Sequence, residues 1–492
     1  MIKIAFVSEN WEHLGLEYIS GMLKSARYET KMFIDPQLFD DENISIKWLS
    51  RAFDYKKKLI SHLKAYEPSL VAFSVVTDFY QWACQIAAMI KQEMDVPIIF
   101  GGIHPTSVPE RVINNDFVDM VCVGEGEYPM LELVDSMQRG QIDYSIKNIW
   151  FKKNGQVIRN KVRSLIEDLD SLPMLDKDLY YSAAKNSPQC YQITASRGCV
   201  YACSYCCHSH LREIYKNKGT YFRRRSVKNV IQELKIAKER YHPRYISFFD
   251  ESLGMGIGWL RDFSNQYKAQ ITLPFLCYVH PCHVSQESVS YLKDAGCCEV
   301  EIGIQSWNKT IRENLFNRWV SNAQMELAIR LLNKAHINVL TNEIVGLPNL
   351  SDDHEHILKA SEIYIELRPL RSLVFTLKYF PYTEITQRAI DSGLLSAQNQ
   401  KNILDGRFSY KYLEKNNIVD ERTIKYRLLL SIIRILPRKI AKQIVKKRLY
   451  RYFPVFFTRF LIDVIARIPP RSVASNLSLR TTINHYKFFL KH

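Results

Sequence analysis

At 492 residues, 47% of them hydrophobic, the chain has material for two to four globular domains of about 100–200 residues each. No apolar run reaches the roughly 18–20 residues of a membrane span, and the amino-terminal Met1-Ile-Lys-Ile-Ala-Phe-Val-Ser8 is β-like without a signal-peptide pattern, so a cytoplasmic protein is expected. Eleven cysteines, an odd number without a pairing framework, exclude a disulfide scaffold and agree with a reducing compartment.

Residues 1–147 alternate strand and helix. Lys3–Ser8, Leu70–Val76, Val96–Phe100 and Val118–Val123 read as buried strands, and Leu16–Ser25 and about Tyr80–Glu93 as helices. The alternation predicts a doubly wound parallel α/β sheet with its ligand beyond the carboxyl ends of the strands, where the glycines cluster. Four segments at those ends are Leu14-Gly-Leu-Glu-Tyr-Ile-Ser20, Ser74-Val-Val-Thr-Asp78, Gly101-Gly-Ile-His-Pro-Thr106 and Gly124-Glu-Gly-Glu127. In order and spacing they resemble the cobalamin-binding (flavodoxin-like) domain attached to one branch of the radical SAM enzymes. The resemblance implies cobalamin contacts from Gly15, Ser74, Val76, Thr77, Gly101, Gly102, His104, Gly124, Glu125, Gly126 and Glu127. Many cobalamin proteins supply a cobalt ligand from a D-x-H-x-x-G run; Glu9-Asn-Trp-Glu-His13-Leu-Gly15 does not fit it, so His13 is read as a loop residue. A flavodoxin-like domain with another ligand is the alternative.

Asn148–Arg159 reads as a hairpin around Lys153-Asn154-Gly155, and 148–189 as a linker. From Tyr191 the alternation resumes. Strands are expected at Tyr191–Ala195, Tyr245–Phe249, Phe275–Val279, Glu299–Ile304, Val339–Val345 and Leu373–Phe380, with helices such as Val227–Arg240, Gln286–Lys293 and Gln324–Lys334 between them. Six such units in residues 190–390 predict a partial (β/α)6 barrel.

The loop after the first of these strands carries Ser196-Arg-Gly-Cys-Val-Tyr-Ala-Cys-Ser-Tyr-Cys206. Three thiolates spaced C-x3-C-x2-C can hold an iron–sulfur cube and leave one iron open. A zinc site would pair two C-x2-C units or add histidines; no second unit exists, although His208 and His210 lie close. Cys207 also stands four residues after Cys203, but Cys206 completes the tighter pattern. The spacing, with Tyr205 ahead of the third cysteine, resembles the signature of the radical SAM superfamily.

That resemblance implies a 4Fe-4S cluster on Cys199, Cys203 and Cys206, with S-adenosylmethionine on its open iron. Its implied contacts are Tyr205, Asp250 or Glu251 at the methionine amine, Glu301, Gln305 and Ser306 near the ribose, and Arg318 at the carboxylate. Gly346-Leu-Pro348 matches a turn near the adenine, although Asn349-Leu-Ser351 replaces the usual continuation, and Phe380-Pro-Tyr-Thr383 lacks the glycine of a second turn. His280, Cys282 and His283 follow the third strand; His280 is a candidate catalytic residue, with ordinary packing as its alternative. Cys297 and Cys298 read as core.

Over about residues 1–390 the chain therefore looks like a cobalamin-dependent radical SAM enzyme. The resemblance implies reductive cleavage of S-adenosylmethionine to a 5′-deoxyadenosyl radical and methylation of an unactivated carbon through methylcobalamin. A rearrangement or oxidative cyclisation, as in tetrapyrrole cyclases, is a second reading, and a non-catalytic cobalamin-binding sensor a third. Transfer-RNA methylthiotransferases carry three further cluster cysteines in the first domain, where this chain has only Cys84 and Cys122. Expected partners are a small-molecule or lipid-like substrate and an electron donor such as flavodoxin or ferredoxin; no nucleic-acid motif is visible.

The net charge of +16 is lopsided. Of the 67 Lys and Arg, 21 lie after residue 400, against 5 of the 51 Asp and Glu, which leaves 46 of each sign in residues 1–400. Residues 391–492 are expected to form a basic, mostly helical domain suited to an anionic partner, with membrane-surface contact as one possibility and a solvated cap over the barrel mouth as another. Arg434, Arg438, Lys442 and Lys446 recur every four residues as one stripe, Ile433, Ile440, Ile444 and Val445 form the apolar face, and Pro437 splits the helix. Pro454–Ala466 is apolar but interrupted by Arg459 and Asp463, so it can lie on a bilayer without spanning it.

Overall fold

Two sheets, the first mostly and the second wholly parallel, organise the chain and are joined through a short crossing segment. The computed structural model describes residues 2–9, 11–39, 47–184, 189–347, 350–407 and 421–453. The apolar run 454–466 and the Pro348-Asn349 part of the expected adenine turn lie outside the described residues.

The first sheet has the order β2-β1-β3-β4-β5-β6-β7. Strands β1 (Lys3–Glu9), β2 (Glu29–Asp35), β3 (Leu70–Ser74), β4 (Ile98–Gly101) and β5 (Met120–Cys122) are parallel. The order 2-1-3-4-5 is the flavodoxin-like doubly wound topology, with its switch point between β1 and β3. Apolar residues cover both faces, Val7, Phe73 and Phe100 on one and Phe6, Leu23 and Leu133 on the other. Strand β2 is absent from the sequence expectation because Glu29, Thr30 and Lys31 interrupt its apolar pattern; as an edge strand it tolerates them. The expected hairpin is present as β6 (Ile149–Lys153) and β7 (Gln156–Arg159), but it pairs antiparallel onto β5 and so extends the first sheet instead of opening the linker.

The crossing segment is fastened by a buried cation. Lys177, on the helix Lys177–Ala184, places its ammonium 2.7 Å from both Glu12 and Glu17 and over the Tyr191 ring. One side chain thus ties the first sheet's opening loop and helix to the first strand of the second sheet.

That second sheet runs β15-β14-β13-β12-β11-β8, every pair parallel. Its strands are β8 (Cys190–Ile193), β11 (Tyr245–Phe248), β12 (Phe275–Val279), β13 (Cys297–Gln305), β14 (Asn338–Val345) and β15 (Arg371–Thr376). β8 and β15 are its two edges, so the barrel is open. Between β8 and β11, a two-stranded ribbon pairs β9 (Ser196–Arg197) with β10 (Arg223–Arg224). Cys277 and Cys297 are buried in the layer between strands and helices, as expected for Cys297, while Cys298 is half-buried.

The helices Glu421–Ile432 and Arg438–Lys446 do not build a core of their own. Leu429, Ile433, Ala441, Val445 and Tyr450 join the barrel's core. The first helix packs along β15 and the second on the helix Leu350–Leu367, so they cover the barrel's flank, and Ile424 of the first helix reaches the cluster that holds Tyr205 and Phe316. Pro437 separates them as predicted and caps the second. Two members of the expected faces exchange places: Ile440 is half exposed, and Arg434 is buried, donating to the Leu370 carbonyl. Among the described residues no helix is long and apolar enough to cross a membrane.

Candidate active site

The cysteine run leaves the carboxyl end of β8 and is fixed by hydrogen bonds along its length. Asp250, just after β11, accepts the Ala195 N–H at 3.1 and 3.0 Å and the Ser196 hydroxyl. Gly198 then takes φ +80°, and a Cβ there would lie 2.1 Å from the Tyr221 carbonyl, so only glycine fits. A turn closed by the Cys206 N–H donating to the Cys203 carbonyl brings these two cysteines to one side, and the helix Cys207–Ile214 starts directly after it. From that helix Arg212 reaches back to donate to the carbonyls of Cys199 and Tyr201, its guanidinium resting on Tyr221. On the far side the Ser204 N–H donates to the Phe316 carbonyl, and Asn317 Nδ2 to that of Ala202.

Burial pushes the Cys199 thiol up to about 11. A hydrogen bond from Cys206 to Cys207, together with burial, holds the Cys206 thiol well above its usual value, while the same bond lowers Cys207. Among the described residues no three His, Cys, Asp or Glu side chains are placed to hold a single metal ion. The three thiols instead sit around a turn, an arrangement suited to separate irons of a cluster.

Polar and aromatic side chains pack around the cysteine run. Arg318 is buried, with Nη2 donating to the Gly303 carbonyl at 2.5 Å, Nη1 3.8 Å from Cys203 Sγ, and Nε–H without a partner. Tyr201 stacks on His280 with 3.9 Å between ring centres, and its hydroxyl meets His283 Nε2 at 3.0 Å. Ser252 closes the network, at 2.8 Å from His283 Nδ1 and accepting the His280 N–H. His280 Nδ1 accepts the Cys282 N–H, which leaves the hydrogen on Nε2, buried without a partner. Burial, then Arg318 and His283, lowers His280 to about 2, so its ring is neutral. Cys282 itself is exposed, beside the Trp319 carbonyl.

The other expected S-adenosylmethionine contacts divide. Tyr205 packs edge-on against Phe316 beside Arg318 and Cys203. The exposed Glu251 accepts from His208 Nε2 at 3.0 Å, and the other nitrogen of His208 meets the Tyr221 hydroxyl. Glu301 faces the barrel interior and accepts from Asn342 at 2.7 Å; burial raises its carboxyl. Gln305 stands at a bulge in β13 with φ +67°, turned out of the regular strand path. Two expectations need correction. Asp250 is consumed by the Ala195 and Ser196 donors, so it positions the cysteine loop instead of facing a ligand. Ser306 is fully buried; its hydroxyl accepts the Asn308 N–H and its carbonyl accepts from Arg312, which turns it away from the mouth.

Across from this mouth lies the carboxyl edge of the first sheet. Ser74, Val76, Gly101 and Gly102 gather at the ends of β3 and β4, with the buried Thr77 just beyond them, and Gly15 has open space around its Cα. Gly102 takes φ +96°, and a Cβ there would strike the Val75 backbone at 2.6 Å, so the position requires glycine. His104, expected to face cobalamin, is instead completely buried. Its Nδ1 is 3.2 Å from Thr77 Oγ1, its ring lies on Tyr80, and the 404–406 turn closes over Thr77. Burial lowers it to about 4.

The Gly124–Glu127 run is likewise committed elsewhere. Glu125 accepts from Arg197 at 3.2 Å, Arg223 at 2.8 Å and the Ile166 N–H at 2.9 Å, and Glu127 accepts from Arg197 at 2.6 Å. A Cβ on Gly124 would fall 2.1 Å from the Tyr215 hydroxyl, and one on Gly126 2.9 Å from Ile19. These four residues dock the first sheet on the cysteine loop. Sequence reasoning missed Arg197, Arg212, Tyr201 and Tyr221; of these only Arg197 and Tyr201 carried a signal, by lying inside the cysteine run.

The B12 binding domain family matches residues 3–134 and the Radical SAM superfamily residues 193–360. An uncharacterized methyltransferase of Pyrococcus horikoshii is 25% identical over 394 residues, covering 78% of this chain and 80% of the relative. An anaerobic magnesium-protoporphyrin IX monomethyl ester cyclase of Rubrivivax gelatinosus is 23% identical, covering 70% and 60%. Among solved structures, the radical S-adenosylmethionine methyltransferase TsrM of Kitasatospora setae, with cobalamin and a [4Fe-4S] cluster bound, superposes with a TM-score of 0.63 at 17% identity over 81% of this chain and 80% of that one. The cobalamin-dependent enzyme OxsB gives 0.65 at 15% identity over 99% and 75%.

The residues present fit such cofactors. The partnerless buried N–H groups of Arg318, whose Nη1 lies 3.8 Å from Cys203 Sγ, and of His280, stacked on Tyr201 of the cysteine run, are donors that an anionic sulfide cluster would accept from. The open space at Gly15, just after β1 and so beside the β1/β3 switch, leaves backbone within reach of a large ligand. The chain belongs to the radical SAM superfamily, in the branch that carries a B12 binding domain ahead of the radical SAM domain.

Proposed function

We propose that this chain is a cobalamin-dependent radical SAM methyltransferase acting on an unactivated carbon. The observation that carries the reading is the docking of the cysteine loop beneath the first sheet's carboxyl edge, through Arg197 with Glu125 and Glu127. Bound there, an iron–sulfur cluster with S-adenosylmethionine would supply a radical that removes hydrogen from the substrate, and cobalamin would supply the methyl group. Cys199, Cys203 and Cys206 would hold the cluster, and Arg318 would donate to it through Cys203. His280, neutral and with Nδ1 already used, serves as a hydrogen-bond donor and aromatic wall, not as a base. Glu251, Glu301 and Gln305 would line the mouth as polar contacts for S-adenosylmethionine, and Gly15, Ser74 and Gly101 would form the cobalamin edge. The substrate is a small or lipid-like molecule, and the electron comes from a flavodoxin- or ferredoxin-type donor in the cytoplasm.

The test is anaerobic reconstitution with iron, sulfide and hydroxocobalamin, then reduction with S-adenosylmethionine present. About four irons per chain are expected, with 5′-deoxyadenosine formed and S-adenosylhomocysteine appearing only when cobalamin is loaded. 5′-Deoxyadenosine without any cobalamin-dependent S-adenosylhomocysteine would move the assignment to rearrangement or oxidative cyclisation. Cobalamin uptake without S-adenosylmethionine cleavage would leave a cobalamin sensor.

A further inference from the structure

We propose that the flank formed by the helix Arg438–Lys446 and the turn Leu449–Tyr452 is a docking surface for an anionic lipid bilayer. The inference is independent of the reaction assigned above. From residue 422 to residue 453 the sequence contains no Asp or Glu. In the structure the helix buries Ala441 and Val445 against the barrel's core. Its other sides present Arg438, Lys439, Lys442, Lys446 and Lys447 to solvent, and Arg451 continues the patch on the turn. Among the described residues one acidic neighbour pairs with it, Glu366 with Lys442 at 2.8 Å. Since residues 1–400 are charge-balanced, this flank is a local excess and not part of a uniformly basic surface.

Charge alone would suit several polyanions. The choice is made by the apolar side chains set among the cations: Ile435, Ile440, Leu449 and Tyr452 are all exposed, Tyr452 by 84%. A nucleic-acid backbone gives aliphatic groups nothing to bury against, whereas a bilayer accepts them at the headgroup–acyl boundary while lysines extend their ammonium groups to lipid phosphates. A tyrosine with an apolar ring and a polar tip suits the same depth. Anionic headgroups attract each basic residue near the surface, and added salt weakens that attraction over a Debye length of about 8 Å. The patch lies on the barrel's flank, so a bound membrane would leave the cysteine loop and the mouth free.

The experiment is co-sedimentation of the full-length chain with sucrose-loaded vesicles, of phosphatidylcholine alone and of phosphatidylcholine mixed with phosphatidylglycerol, at low and physiological salt. Wild type should partition onto the phosphatidylglycerol vesicles and not onto phosphatidylcholine. The variant K439Q/K446Q/K447Q/R451Q should lose at least about tenfold in partitioning. The variant I440S/L449S/Y452S should keep low-salt binding and lose it at physiological salt. Both variants should retain wild-type circular dichroism and 5′-deoxyadenosine formation, which separates lost binding from lost folding. Equal partitioning on the two vesicle types, or undiminished binding by the fourfold variant, overturns the proposal. So does tight binding of a fluorescent RNA oligonucleotide at physiological salt by a chain that ignores the vesicles.

Discussion

At the scale of single residues the chemistry near the cysteines is set by which polar atoms are already used. The C-x3-C-x2-C spacing is legible in the sequence because its ligands are local. The roles of Asp250 and His104 are not, since each is decided by partners or cover distant in sequence, Ala195 for Asp250 and the 404–406 turn for His104, while Ser306 is turned inward by the local backbone path that brings Asn308 and Arg312 onto it. Arg318 shows the opposite case. Its sequence position suggests a carboxylate partner, yet its Nη1 stands 3.8 Å from Cys203 Sγ. A buried cation there would stabilise a bound cluster after it gains an electron, so R318Q should shift the reconstituted cluster's reduction potential to more negative values by at least about 59 mV, a tenfold change for a one-electron couple. R318K should recover part of the shift. An electron-paramagnetic-resonance redox titration at equal iron content reads this directly, and an unchanged potential would remove Arg318 from the cluster's surroundings. The third ligand is tested alongside: C206A should lose iron and C207A keep it, by iron analysis after reconstitution.

Between elements, the decisive contact is the one that fastens the first sheet to the cysteine loop. Apolar residues make four of the five parallel strands of that sheet and all six barrel strands legible, through burial on both faces in the first sheet and on the helix-facing side in the second. The docking is not legible, for Arg197 and its partners Glu125 and Glu127 are about 70 residues apart and belong to separate local patterns. Glycines flanking the two acids suggest a ligand loop, whereas Gly124 and Gly126 are small because Tyr215 and Ile19 press on them. Replacing Arg197 by Met would leave two partly buried carboxylates facing each other without their shared donor, a loss of about 1–3 kcal/mol for each charge-assisted bond. Amide hydrogen exchange should then accelerate in residues 124–127 and 197–199 while the β3 and β13 cores keep their protection. Equal protection in the variant would mean that Arg223 and Tyr215 hold the docking unaided.

For the whole molecule, the joint at Lys177 decides whether two sheets behave as one body. Burial disfavours its ammonium, and the carboxylates of Glu12 and Glu17 outweigh that cost and keep it charged. Burial likewise holds Glu17 well above the usual carboxylate range, with Lys177 pulling it down and Glu12 pushing it up. Removing the cation with K177M would strand two buried carboxylates, a change that costs about 3–5 kcal/mol when such a pair is broken. Because Lys177 bridges the opening loop, the first helix and the Tyr191 ring, thermal unfolding of the variant should separate into two transitions where the wild type gives one. The pH dependence follows from the sign of the shift. Without Lys177 the folded-state value of Glu17 rises further above its unfolded value, so the folded variant binds more protons than the unfolded chain between the two. Its stability therefore falls as pH rises through that window, and the deficit relative to wild type is largest at neutral pH and shrinks as pH drops towards about 4.3, the ordinary glutamate value. Differential scanning calorimetry of both proteins across that range measures it, and a deficit that stays constant with pH would mean that lost packing, not stranded charge, is what Lys177 prevents.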